Sequence, residues 1–401
     1  MPVPRYRPTS APSLFSAGFR PFFLASALWA ALALPIWLIA FAGTGEIPTD
    51  MAPVLWHVHE MVFGYGAATV AGFLLTAIPN WTGRLPLQGT PLAVLLLLWL
   101  AGRVAVFLSA AVGPVAAAIL DLAFPLAFLA VVAREIIAGR NWRNLPVTIA
   151  LAFLFIGNLL VHLETLETIA TGALGNRIGL ATLLMLIALV GGRIIPSFTR
   201  NWLAKNAPGW PAPAAFDRLD EVALALAVLA LACWAVLPDE TVSAGVEILA
   251  GLALAARLIR WRGTAAWREP LLWVLHLGYA WLALGLLLLG VNGFTSLLPS
   301  TTALHALTVG AVGTMTLAVM TRATLGHTGR PLTAGRATTW IYLLVTLAAL
   351  LRLLAPLAGG QYVIALTLAG TAWSGAFLLF VLTYFRPLTL PRVAAERARP
   401  I

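Results

Sequence analysis

Apolar residues in this chain neither alternate with polar ones at the period of a strand nor form the one-sided stripe of a surface helix. They come in blocks of about 20 residues, the length that crosses a bilayer as an α-helix. Twelve blocks begin near Phe22, His57, Pro91, Val115, Pro146, Ile178, Glu221, Val242, Leu271, Thr301, Thr338 and Tyr362. Within hydrocarbon only helices and closed barrels satisfy their own backbone groups. The pattern therefore predicts an all-α polytopic membrane protein with about twelve transmembrane helices. The first block, Phe22 to Phe41, exceeds the roughly 7–15 apolar residues of a signal peptide and lacks a convincing small-residue cleavage site, so it reads as a retained span. The longest connection, about Thr199 to Asp220, carries Pro208, Pro211 and Pro213 and reads as a cytoplasmic link rather than a soluble domain. The expected organisation is one transmembrane helical domain over residues 1–401, with cytoplasmic tails at 1–18 and 387–401.

Composition sharpens this picture. Hydrophobic residues make up 61% of the chain and charged residues 10%, against roughly 25% charged in soluble domains. The 25 basic and 15 acidic residues give a net charge of +10, which in a soluble protein would suggest nucleic acid. Here the basic residues fall between the apolar blocks. With both termini cytoplasmic, the inner face collects every Lys and Arg except Arg103, Arg177 and Arg352. The opposite loops carry Glu46, Asp50, Glu164, Glu167, Asp239 and Glu240. This is the asymmetry that orients membrane proteins. The charge is thus a topology signal, the expected partner of the surface is the lipid bilayer, and nucleic acid drops out. The single cysteine, Cys233, excludes an intramolecular disulfide and any Cys-rich metal site.

An internal repeat runs through the chain. His59 is followed by Gly64 and Thr82-Gly83-Arg84, and His305 by Gly310 and Thr328-Gly329-Arg330, at identical offsets. These are the second and tenth spans, which run in the same direction. The sixth ends similarly in Pro196-Ser197-Phe198-Thr199-Arg200. The expectation is a pseudo-three-fold repeat of four helices.

Ionisable side chains inside spans are rare and usually face the bundle interior, a partner or a pathway. His57, His59, His162 and His305 sit near the outer ends of the second, fifth and tenth spans. His276 and His327 lie toward the cytoplasmic side. His57 and His59 differ by about 200° around a helix, so they cannot hold one ion together but could serve two centres flanking one helix. Neutral imidazole suits haem iron, copper and zinc. No Cys-x-x-Cys-His is present, so any haem is the non-covalent b type. A single histidine at a span end is equally well an interfacial anchor; four at one depth point to metal. Arg193 and Arg322, just inside the cytoplasmic ends of the sixth and tenth spans, either snorkel to the headgroups or pair haem propionates. Glu60 adjoins the outer histidines and is a candidate proton relay, or an interfacial carboxylate. Arg103 is expected to pair with Asp121, a structural role.

Several blocks are long and specific: Ser16 to Phe23 (SAGFRPFF), Trp56 to Met61 (WHVHEM), Ala71 to Gly83 (AGFLLTAIPNWTG), Gly191 to Asn201 (GGRIIPSFTRN) and Met320 to Arg330 (MTRATLGHTGR). In these the chain resembles the NnrS family over essentially its whole length. The resemblance implies a bacterial inner-membrane protein containing haem and copper, associated with denitrification and resistance to nitric oxide. The plan is also similar to that of the haem-copper oxidase superfamily. The seventh span, however, has no adjacent histidine pair and the sixth has no histidine.

Three functions follow as expectations. The first is binding and reduction or detoxification of nitric oxide at His-ligated metal, which requires an electron donor. The second is non-enzymatic nitric oxide binding, protection or signalling by a haem protein. The third is solute transport. It is disfavoured because Asn80 to Leu87 lacks the acidic Asp-Arg signature of major facilitator proteins and buried carboxylates are scarce.

Overall fold

The structure, a computed structural model, describes residues 11–295, 297 and 299–393. The outermost parts of the two expected tails, with Arg5, Arg7, Arg397 and Arg399, lie outside the described residues. Among the described residues every regular element is helical. Eleven continuous helical stretches are long and apolar enough to cross a membrane. The last of them, Arg336–Thr389, has 54 residues, or roughly 80 Å at 1.5 Å per residue, more than twice the hydrocarbon thickness. It turns back at Gly359, where φ is 54°, a conformation glycine adopts without penalty. The spans therefore number twelve. They are α1 (Phe19–Phe41), α2 (Pro53–Thr82), α3 (Thr90–Phe107), α4 (Pro114–Ala138), α5 (Trp142–Thr165), α6 (Leu174–Asn206), α7 (Arg218–Val236), α8 (Thr241–Ile259), α9 (Pro270–Thr295), α10 (Ser300–His327), α11 (Arg336–Leu354) and α12 (Tyr362–Thr389).

Proline marks several starts: Pro53, Pro91 and Pro114 occupy the first helical turn, where no amide hydrogen is required. The helix ends are then set by packing. The outer contacts close the bundle, with α1 against α12, α4 against α5 and α8 against α9. Arg20, buried near the start of α1, donates through Nη1 to the carbonyls of Leu388 (2.9 Å) and Leu390 (2.7 Å) at the end of α12. Both described ends of the chain therefore lie on the same side.

The repeat seen in the sequence has a structural counterpart. α2, α6 and α10 each contain a π-helical stretch, at Glu60–Gly66, Ile187–Gly191 and Ala306–Gly313, and these three helices pack against one another at the centre. A π turn widens the helix by one residue and frees carbonyls from their usual partners. Here other helices supply donors. Trp99 Nε1 of α3 donates to Gly64 O (3.0 Å), and Arg257 Nη1 of α8 donates to Ala188 O (3.1 Å). Arg257 also donates from Nε to Asp220 Oδ1 (2.5 Å) and from Nη1 to the Tyr279 hydroxyl oxygen (2.9 Å). Arg20 and Arg257, counted above toward the cytoplasmic charge, are thus buried structural groups as well.

Candidate functional site

The outer halves of α1 to α5 enclose a polar cluster in otherwise apolar surroundings. His59, Glu60, Arg103, Asp121, Asn158 and His162 are all at most 3% exposed. Each enters from a position about one to two turns inside the outer end of its span. The π turn beginning at Glu60 lets consecutive residues of α2 serve one centre. His59 Nδ1 faces Glu60 Oε1 at 3.0 Å. The other ring nitrogen, Nε2, faces Asp121 Oδ2 at 3.1 Å and Asn158 Oδ1 at 2.9 Å. His162 Nε2 lies 2.9 Å from the same Asp121 oxygen, and Asn158 Nδ2 donates to it at 2.8 Å. Asn158 and His162, four residues apart, share one face of α5. Arg103 clamps the two carboxylates, donating to Glu60 Oε1 (2.6 Å) and to Asp121 Oδ1. Trp29 of α1 donates to Glu60 Oε2 at 2.6 Å. Gly64 is required beneath them, because a β-carbon there would lie 2.8 Å from both Arg103 Nη1 and Glu60 Oε2.

The charge balance of this cluster is instructive. Two carboxylates face one guanidinium, leaving one negative charge to be neutralised by a second proton on an imidazole or by a metal cation. An uncompensated charge enclosed by apolar helices is costly. His59, Asp121 and His162 offer three ligand atoms within 4.8 Å of one another. Metal–ligand bonds of roughly 2.0–2.2 Å place neighbouring ligand atoms about 2.8–3.6 Å apart, depending on coordination geometry, and the two imidazole–Asp121 hydrogen-bond spacings of 3.1 and 2.9 Å lie at the short end of that range. The Glu60 carboxylate on Nδ1 would fix the tautomer that presents Nε2, the usual second shell of a metal-bound histidine. The donor set, two imidazoles and a carboxylate, suits copper, zinc or iron.

The four outer histidines do not converge on one point; they divide into two pairs on opposite sides of α2. His57 is half-buried and stacks on Trp37, ring centroids 4.3 Å apart. It interacts electrostatically with His305 of α10, and Arg352 of α11 acts on both. His305 donates from Nδ1 to the Thr301 carbonyl (2.6 Å), so its Nε2 carries the free lone pair. Trp37 Nε1, His57 Nδ1, Thr302 Oγ1 and Arg352 Nη1 are buried with no hydrogen-bond partner among the described residues. These four unmet atoms, one of them on the His57 ring itself, come from four helices, and unmet buried polar atoms of this kind are commonly completed by a ligand, an ion or water.

The inner candidates are separate from both pairs. His276 donates from Nδ1 to the Leu272 carbonyl (3.1 Å) and has Nε2 3.5 Å from Thr199 Oγ1. His327 packs on Phe19 with centroids 5.5 Å apart. Arg193 donates to Asn144 Oδ1 (3.0 Å), and Arg322 sits over the Phe198 ring at 4.1 Å. The expected Arg103–Asp121 pair is present, but Asp121 is also the oxygen on which both imidazoles of the first site meet. The available signal was a carboxylate inside one span with an arginine inside the span before it. Asn158 was missed, since a neutral amide in an apolar helix attracts no notice until His162 is seen four residues on.

Among curated proteins, none matches the chain. The family comparison does: residues 13–392 match the family described as NnrS protein. That span takes in both histidine pairs and all twelve helices. The chain therefore belongs to the NnrS family, and is a multi-pass membrane protein of the nitric oxide response.

Proposed function

We propose that the protein binds nitric oxide at histidine-held metal in the outer half of the bundle and reduces it there. The observation that carries this reading is the buried convergence of His59, His162 and Asp121 in a protein of the nitric oxide response. In this assignment His59, Asp121 and His162 would hold copper and His57 and His305 would hold haem b, with Arg352 available to its carboxylates. His276 and His327 are available to a further haem, with Arg193 and Arg322 as propionate partners. The host membrane is the bacterial inner membrane.

The metals supply redox-active binding positions for nitric oxide, and holding two such molecules side by side lowers the entropic barrier to N–N bond formation. The balance is two molecules of nitric oxide, two electrons and two protons in, and one nitrous oxide and one water out. An electron donor is therefore a required partner. The chain's own part is positional and protonic. Arg103 holds Glu60 and Asp121 in fixed orientation. Asn158 bridges Asp121 and His59, and Glu60, touching His59 Nδ1, is the relay through which a proton leaves or enters the ring. Nitric oxide is uncharged and lipid-soluble, which agrees with a cluster enclosed by apolar helices.

The test is metal analysis with optical and EPR spectra of purified protein carrying His59→Ala, His162→Ala, His57→Ala or His305→Ala, together with anaerobic nitric oxide consumption. The first two are expected to lose the non-haem metal and keep haem; the last two are expected to lose haem. Full metal content in all four, or no consumption of nitric oxide by the loaded wild type with a competent reductant, would overturn the reading.

A further inference from the structure

Repeat symmetry makes α4 and α8 counterparts, each the last helix of a four-helix unit. Asp121 lies seven residues beyond Pro114 at the start of α4, and Glu247 six beyond Thr241 at the start of α8. Both carboxyls therefore sit roughly 10 Å inside the outer helix ends. Their surroundings are opposite. Asp121 meets Arg103, Asn158 and two imidazoles. Glu247 is 2% exposed and has no hydrogen bond or salt bridge among the described residues.

α8 packs between α7 and α9. Glycines bring α8 and α9 together about one turn to either side of Glu247: a β-carbon on Gly251 would lie 2.9 Å from the Ala283 carbonyl oxygen, and one on Gly290 2.6 Å from that of Ala244. The outer halves of α7 and α9 carry one titratable side chain, Cys233. Arg177 of α6, beside the outer end of α7, donates to the carbonyls of Ala235 (2.8 Å) and Gly172 (2.7 Å). Arg257, further along α8, is held by Asp220. An isolated carboxylate in such a setting takes up a proton and becomes neutral. As packing, an acid without a hydrogen bond is worse than the alanines and leucines around it, and an unpartnered ionisable group inside a span is by default a functional one.

Glu240, Ser243 and Glu247 follow one another at intervals of three and four residues, along one helix face. Glu240 is exposed in the outer loop beside Asp239, and Ser243 is buried one turn above Glu247. The Ser243 hydroxyl donates to the Leu237 carbonyl (2.6 Å), which leaves its oxygen as an acceptor. The carboxyl oxygens of Glu247 keep a trace of exposed surface, so the group is not sealed off. We propose that Glu247 is a proton-binding site in the outer half of the membrane, a neutral carboxylic acid that gives up and regains its proton through the outer face by way of Ser243. Neither metal nor nitric oxide enters it, so it stands or falls apart from the function proposed above.

The test uses the full-length protein reconstituted in phosphatidylcholine liposomes. Dicyclohexylcarbodiimide partitions into the bilayer and adds to a protonated carboxyl, the acid proton passing to a carbodiimide nitrogen as the carboxyl oxygen bonds to the central carbon. Peptide mass spectrometry is expected to find the adduct on Glu247 at pH 7, declining as pH rises and the acid ionises, and to find none in Glu247→Gln. Infrared spectra are expected to show a protonated-carboxyl stretch that shifts in heavy water and is missing from Glu247→Gln. In Ser243→Ala the band is expected to stay and its isotope shift to slow. If Glu247→Gln folds poorly by melting temperature, labelling and isotope exchange in the wild type still decide the matter. No adduct at pH 7, labelling indifferent to pH, a band that never shifts in heavy water, or an exchange rate unchanged by Ser243→Ala would overturn the proposal. So would protection from labelling by sodium but not choline at fixed pH, which would make Glu247 a cation site.

Discussion

His57 and His59 stand two residues apart on α2, and the two sides of that helix are built differently. On the His59 side every carboxylate oxygen of Glu60 and Asp121 has a partner and Arg103 bridges both carboxylates through Nη1 and Nη2, with only its Nε left buried without a partner among the described residues. On the His57 side the donors of Trp37, His57 and Arg352 are unmet, and no carboxylate pairs Arg352 in a salt bridge among the described residues. Both sides carry imidazoles at one depth in one membrane. One is a network whose carboxylates are all paired; the other leaves buried polar atoms from several helices unmet. The more completely a buried network is satisfied, the more it rigidifies a fold, and unmet buried groups are costly unless something completes them.

Removing the arginine on each side tests this contrast most severely. Arg103→Met leaves two carboxylates buried without their cation, and breaking a buried pair in that way costs about 3–5 kcal/mol. Unfolding in detergent micelles is expected to show that loss, or folded protein to be unobtainable. Arg352→Met removes a buried group that no carboxylate pairs among the described residues, which is expected to be near neutral or stabilising for haem-free protein, while haem retention is expected to fall. Equal destabilisation by the two changes would break the comparison.

A gentler change sharpens it. Glu60→Gln keeps the shape of the side chain and removes the charge beside His59 Nδ1. Loss of such an outer-shell partner typically weakens metal affinity by about 10- to 100-fold. The expected outcome is weakened binding of the non-haem metal, measured by chelator competition, with the haem spectrum unchanged. A change in haem instead would mean that the two sides of α2 are one centre.

The fold was legible in the sequence because membrane spans announce themselves by length and hydropathy, and because arginines sort to one face. The opposed faces of His57 and His59 were equally legible, from helical geometry alone. Convergence was not. Depth along a span supplies one coordinate of a residue, and His305 shares that coordinate with His162, yet α10 and α5 lie on different sides of α2. Which helices are neighbours depends on packing at the π-helical centre. Nothing in the apolar text marks those stretches except glycines such as Gly64, Gly66, Gly191, Gly310 and Gly313. Asp121 illustrates the same limit: its pairing with Arg103 followed from rarity, but its place between two imidazoles required the positions of α2, α4 and α5 together.

The smallest expected effect comes from an ion pair of similar chemistry placed in water. Asp217 caps α7 and is bound by Arg260, whose hydrogen bonds lower the Asp217 carboxyl from 3.8 to about 2. Because the native value is depressed, the pair's contribution is present above the ordinary value near 3.8 and is lost as pH falls through about 2. The side chain is half-exposed, so solvent screens the pair and exposed pairs contribute little. Asp217→Asn retains a capping side chain and removes only the charge. Its melting temperature is expected to lie slightly below that of the wild type at pH 7, with the gap closing by pH 2. A gap as large as that of Arg103→Met would mean that desolvation is not what separates the buried clamp from its exposed counterpart, and the strength assigned to the His59 side would have to come from elsewhere.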